Sequence, residues 1–231
     1  MKIFKIKSWC FNTNWKHFFF VFFLFLMMLP NSVFGRMNKG WGILPDEMAA
    51  VPRWCRCKMQ VHKRHYTDIP APLMQEYNKW GKIIGEDTLR AAHHYCMALN
   101  WINRYKRSLS SSYKDVDMDR KFALKQGLDE LRFMKSMKTI KKRALYYRLL
   151  MNEAYLYREL GDFEKAARNY REIMSRKPGY ASAYIEYAQL LHSFGNNADA
   201  VKILQIGLKR TKGNKIIQQM MTNIRGEGEH Q

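Results

Sequence analysis

Residues 147–180 read YRLLMNEAYLYRELGDFEKAARNYREIMSRKPGY and residues 181–213 read ASAYIEYAQLLHSFGNNADAVKILQIGLKRTKG, and the two stretches superimpose at a spacing of 34. In the first, Leu150, Ala154, Tyr157, Gly161, Ala166, Tyr170 and Pro178 fall in order. Thirty-four residues later stand Tyr184, Ala188, Leu191, Gly195, Ala200, Leu204 and Lys212. A period of this length marks stacked supersecondary units, each burying its apolar face against its neighbours. Ala154 with Ala166, and Ala188 with Ala200, are small where two helices of a hairpin must approach closely. Gly161-Asp162 and Gly195-Asn196 supply the turns, because glycine takes the left-handed conformation that ends a helix. Pro178 closes the first unit.

This order of large apolar, small, aromatic, turn, small, apolar and closing proline resembles the tetratricopeptide repeat. Three residues depart from the family pattern: Ile173 stands where a small residue is preferred, Lys212 replaces the closing proline, and Glu153 occupies a usually apolar position. The resemblance implies an all-α fold, a right-handed stack of helical hairpins whose first helices line a concave groove for protein or peptide segments. Carried over by position, the groove residues are Arg148, Met151, Tyr155 and Arg158 in the first repeat (147–180) and Ser182, Ile185, Gln189 and His192 in the second (181–213). Arg148 and Arg158, with Tyr155 between them, would hold an acidic or carboxylate-bearing extended segment. The Lys/Asn clamp of chaperone-binding members is not reproduced. Pro52-Arg53-Trp54-Cys55 and His93-His94-Tyr95-Cys96, ahead of two such repeats, also resemble a group of exported bacterial repeat proteins, a likeness that brings no activity with it.

Two hairpins are too few to stand alone, so the flanking chain must complete the solenoid. Thr88 to Arg107 carries Ala92, Tyr95, Cys96, Leu99 and Ile102 on one helical stripe, and Asp119 to Met137 carries Leu124, Leu128, Leu131 and Met134 on another. With the serine-rich loop at 108–112 between them, residues 88–146 read as a degenerate helical hairpin stacked on the first repeat. Residues 214–231 read as a capping helix and tail, with Ile216, Ile217, Met220, Met221 and Ile224 at helical spacing. Residues 36–87 hold Pro45, Pro52, Pro70 and Pro72 and little periodicity, and read as an extended segment packed on the helices.

At the amino terminus Lys2, Lys5, Lys7 and Lys16 precede an apolar run from Phe18 to Leu29 that stops at Pro30. A membrane-spanning helix needs roughly 20 apolar residues. Residues 1–35 therefore read as a signal peptide, with Val33 and Gly35 placing cleavage before Arg36; the alternative is a signal anchor in the membrane. The expected location is exported, periplasmic or secreted. Of the 231 residues, 40 are Lys or Arg and 20 are Asp or Glu, a net charge of +20. The first 35 hold four lysines and no acid, so the basicity belongs to the rest. No aromatic-basic nucleic-acid motif is present, and an exported basic surface meets acidic proteins and anionic polysaccharide or lipid instead of nucleic acid.

Three cysteines follow residue 35. In an oxidising compartment one pair is expected to bridge; Cys55 with Cys96 is preferred, leaving Cys57 free, and Cys57 with Cys96 is the alternative. A different use of the same region is a soft metal site of Cys55, Cys57, His93 and Cys96, where His93 and Cys96 share a helix flank and His94 points to solvent. Asp115, Asp117 and Asp119 lack the glycine and glutamate of a calcium loop, so Asp117 or Asp119 reads as a helix cap. Lys135, Lys138, Lys141, Lys142 and Arg143 form a basic run, read as a solvated face or as a dock for an acidic partner. No phosphate loop, nucleophile elbow or carboxylate pair nominates an enzyme, and no cofactor is expected. The reading is an exported adaptor that binds a protein or peptide without chemistry of its own. The alternatives are a metal- or redox-active envelope factor and a basic assembly component on anionic polysaccharide or lipid.

Overall fold

A computed structural model describes residues 45–110 and 116–228, all within one unit, Ile43–Gln231. The signal-peptide reading and the side chains of Asp115, Asp117 and Asp119 lie outside the described residues. Every regular element among the described residues is helical. In chain order these are α1 (Arg53–His62), α2 (Ala71–Ile84), α3 (Glu86–Ser110), α4 (Val116–Ser136), α5 (Leu145–Glu159), α6 (Phe163–Arg176), α7 (Ala181–Ser193), α8 (Asn197–Arg210) and α9 (Lys215–Gly228). Short 3-10 turns stand at Pro45–Ala50, Tyr66–Asp68 and Ile140–Lys142.

The expectation of an extended segment over 36–87 is corrected by α1 and α2. Their prolines are starters and not breakers: Pro52 and Pro70 occupy the N-cap positions, and Pro72 lies in the first turn of α2. There a missing N–H removes no helical hydrogen bond, and the fixed φ already suits a helix. Gly85, at φ 93°, turns the chain from α2 into α3, and a Cβ there would sit 2.5 Å from the Arg143 guanidinium carbon.

α3 packs along α4, α5 along α6 and α7 along α8, so the two repeats follow an upstream hairpin as the stacking logic requires. Leu149, Leu150 and Leu156 of α5 and Tyr170 and Ile173 of α6 are fully buried, each Leu or Ile contributing about 1.5–3 kcal/mol. Close approach is arranged by small residues. Ala154, Ala166, Ala188 and Ala200 are fully buried, and a Cβ on Gly127 of α4 would lie 3.1 Å from Leu156. The turn glycines Gly161 and Gly195 have φ of 79° and 73°.

The three departures from the repeat pattern each have a structural reason. Leu150 and Ile173 are both fully buried in the first repeat; at the matching places of the second, Tyr184 lies against Gly207, where a Cβ would approach the Tyr184 ring to 2.7 Å. A large–small exchange has kept the volume. Lys212 has φ 55° and Gly213 φ 83°, a left-handed pair that proline cannot adopt. The Asn214 side chain then accepts from the backbone N–H groups of Ile216 (3.0 Å) and Ile217 (3.2 Å) and starts α9. Within α9, Ile217 and Ile224 are buried, but Ile216 faces solvent instead of the repeat.

Glu153, the third departure, is 2% exposed. It accepts from Lys135 Nζ of α4 (2.7 Å), Asn169 Nδ2 of α6 (3.1 Å) and the Tyr157 hydroxyl (3.5 Å). One buried carboxylate thus ties three helices, and each oxygen is satisfied, as burial of a charge demands.

Candidate binding face on the first helices

The first helices of the three hairpins, α3, α5 and α7, carry side chains that reach from one to the next across α5. On one flank Asn152 Nδ2 donates to the Tyr95 hydroxyl of α3 (2.9 Å), and the Tyr105 hydroxyl of α3 donates to Glu159 (2.5 Å). On the other flank Arg158 donates to Glu186 of α7 (3.1 Å), and the Tyr147 ring lies 6.4 Å from that of Tyr180. Glu186 stands 34 residues after Asn152 and does the same work one repeat later, reaching back to the preceding first helix.

Between these flanks α5 presents Tyr147, Arg148, Met151 and Tyr155 at helical spacing, three of them half-buried and Arg148 exposed. Tyr155 is framed by Tyr105 (6.4 Å, edge-on), by Lys106 Nζ 4.9 Å over its ring and by Arg158 5.1 Å over it. Lys177 sits 5.2 Å over Tyr147 and 5.3 Å over Tyr180. Burial pushes the Tyr155 and Tyr95 hydroxyls up to about 12, so both remain neutral donors at physiological pH.

The expected pair Arg148 and Arg158 is divided by the structure. Arg158 is held by Glu159 and Glu186, both at 3.1 Å, because α5 and α7 each bring a glutamate to its fork. Arg148 has no ion pair among the described residues. In the second repeat Ser182 and Gln189 are exposed, and Ile185 is half-buried against the α7–α9 core. His192 turns to its own hairpin, its Nδ1 lying 2.6 Å from Asn197 Oδ1. The first repeat therefore supplies the aromatic and cationic surface, and the second supplies mostly small polar groups.

Cys55 of α1 and Cys96 of α3 are bonded, with Cα atoms 5.5 Å apart, and both are fully buried. That bond removes two of the three thiolates from the alternative metal set, and Cys57 is buried against α2 with its thiol pushed up to about 11 by burial. The histidines form a stack instead. His62 lies 4.2 Å from His93, and His93 lies 4.1 Å from His94. His94 does not point to solvent; its Nδ1 is 2.6 Å from Glu130 of α4 and its ring rests on Phe133. Burial first, then the neighbouring imidazoles and Lys58, hold His93 down to about 4. Among the described residues no group of three or more His, Cys, Asp or Glu side chains is arranged to hold a metal ion.

The basic run is partly consumed by structure. Lys135 reaches Glu153, and Arg143 reaches Asp87 of α3 (3.2 Å). Lys138, Lys141 and Lys142 are exposed, with no ion pair among the described residues. A second acidic anchor was not read from the sequence. Glu47, 3% exposed, accepts from Asn100 (2.8 Å), Arg104 (2.7 Å) and Arg107 (2.7 Å) and clamps the first described turn onto α3. Its one signal in sequence was the Asp46-Glu47 pair ahead of a basic stretch. No described helix is long and apolar enough to cross a membrane.

No curated protein and no solved structure matches the chain. The family model of the tetratricopeptide repeat matches residues 157–224, from the last turn of α5 through α6, α7 and α8 and into α9. Repeats of this family serve protein–protein interaction and are in general scaffolds without chemistry of their own. From residue 157 to 224 the stacked hairpins thus match the tetratricopeptide repeat, by family model and by architecture alike.

Proposed function

We propose that the chain is an exported adaptor that holds an extended, acidic segment of another protein against α3, α5 and α7, and that it acts without catalysis, cofactor or nucleic acid. The observation that carries this reading is the α5 stripe of Tyr147, Arg148, Met151 and Tyr155. It is flanked by Lys106 and Lys177, each over an aromatic ring. Half-buried tyrosines offer contact area at small entropy cost, and Arg148 offers a fork for a carboxylate. The fixed Arg158–Glu186 pair orients Tyr155 and is not itself the ligand's partner. Export is supported by the lysine-flanked apolar run at 18–29 and by a buried disulfide, which suits an oxidising compartment.

The test is recovery of partners by the exported protein and by its Arg148→Glu variant at matched expression. The variant is expected to lose the partners that the parent retains, with an unchanged unfolding midpoint. Partners retained undiminished by the variant would refute the groove reading. Exposed Lys138, Lys141 and Lys142 favour a second reading, electrostatic association with anionic polysaccharide or lipid. Such binding weakens steeply as salt rises, whereas a segment seated on tyrosines resists.

A further inference from the structure

We infer that the outer face of the repeats carries a second binding site, in the groove between α6 and α8, for a protein segment that presents an apolar side chain beside a carboxylate. The groove encloses about 430 Å³, enough for a few side-chain-sized groups and at the low end of small-ligand sites. Met174 of α6 and Ile203 and Ile206 of α8 form its apolar walls, and Ile206 is 43% exposed. Arg171 and Arg210 stand among its lining residues and are both exposed.

The floor is Tyr184 of α7, 2% exposed and seated against Gly207. Any side chain at 207 would displace that ring, so the groove exists because of the large–small exchange that distinguishes the second repeat from the first. The hydroxyls of Tyr105, Tyr146 and Tyr157 each end on a glutamate. That of Tyr184 makes no hydrogen bond among the described residues. Burial raises its pKa and Arg210 opposes the rise, so it stays protonated, a donor beside a guanidinium.

Charge complementarity selects the occupant. Arg210 has no ion pair among the described residues, and Arg171 is only 3.5 Å from an exposed Glu164, a pair that a ligand displaces at little cost. A tyrosine donor and a free guanidinium next to aliphatic walls fit a carboxylate adjoining a leucine-like side chain. Neither cation nor phosphate has comparable apolar complementarity there. The site lies on the second helices of the hairpins, away from the α5 stripe. This inference stands independently of the groove reading.

The probe is N-acetyl-leucine against its neutral amide, N-acetyl-leucinamide, titrated into the whole exported protein with methyl NMR as readout. Saturable shifts confined to the methyls of Ile203, Ile206 and Met174 are expected with the acid. The amide should bind about tenfold more weakly, the loss of one charge-assisted contact. Arg210→Ala should reduce the acid to the level of the amide while leaving the unfolding midpoint unchanged. Absence of a saturable shift at the solubility limit, equal binding of acid and amide, or shifts at Met151 in place of Ile206 would each overturn the proposal. So would groove shifts that depend on protein concentration without probe, which would assign the groove to a second copy of the chain.

Discussion

The two repeats share their spacing and their turns, yet they are held in different ways. The first, α5–α6, lies inside a core that extends from Val51 to Leu190 and is tied by polar links: Glu153 to Lys135 and Asn169, Tyr105 to Glu159, Tyr146 to Glu172. The second, α7–α8, shares a smaller core with α9 around Tyr184, Ala188, Ala200, Leu204, Ile217 and Ile224. Among the described residues no buried carboxylate crosses that smaller core, which is held mainly by apolar packing. The same repeat pattern thus serves two purposes. Its first copy is locked to a stapled body and presents a fixed aromatic face, and its second can yield locally, as the end of a linear array does.

Four perturbations break or sharpen this contrast. The largest effect is expected from Cys55→Ser with Cys96→Ser, because the bond closes a loop spanning 41 residues; on the chain-entropy account its loss costs about 4 kcal/mol. Denaturant unfolding should show the loss in the body, with α7–α9 amide protection changed only where global unfolding sets it. Next, Glu153→Ala strands Lys135 and Asn169 and should cost about 3 kcal/mol. Glu153→Gln, which keeps an acceptor for Asn169, should cost less, and a calorimetric series separates the two. Gly207→Ile overfills the smaller core and should cost about 2 kcal/mol. Adding Tyr184→Leu restores the residues that the first repeat has at the matching positions 150 and 173 and should recover most of that loss, with hydrogen exchange confining both effects to α7–α9.

The smallest effect concerns acid. His93 is held down to about 4 from an ordinary 6.5, and His62 is lowered in the same direction. The folded state therefore binds fewer protons than the unfolded chain between those values, and stability falls as pH drops from about 6.5 toward 4. His93→Phe keeps a ring against His62 and should flatten that part of the melting temperature–pH profile. An unchanged profile would remove the histidine stack from the account of the α1–α3 joint.

Much of this was legible in the sequence, for physical reasons. Apolar residues at helical spacing with small residues and turn glycines at a period of 34 force stacked hairpins, so α5 to α8 followed from the period, whereas α3, α4 and α9 were legible only as single apolar stripes without it. That Cys96 is bridged followed from a buried helical cysteine needing a partner, but the choice of Cys55 over Cys57 two residues away is made by the packing of α1 and not by spacing. What stayed hidden depends on three-dimensional neighbours. Prolines 52, 70 and 72 look alike as breakers or as starters until the helices they begin are seen. Glu153 is an anomaly in one dimension and a satisfied acceptor in three. Arg158 reads as a free cation because Glu186 lies 28 residues away, one repeat on. The Tyr184–Gly207 exchange was visible as two residues but not as one contact.

The central claim is that a partner lies along the α5 stripe, and site-specific photocrosslinking in the native host tests it most directly. A crosslinking residue at Met151 should capture a defined protein, and one at Glu164, exposed on α6, should not capture that same protein. Capture at Met151 should disappear when Arg148→Glu is added. Equal capture from both positions, or capture at Met151 that survives Arg148→Glu, would contradict the account.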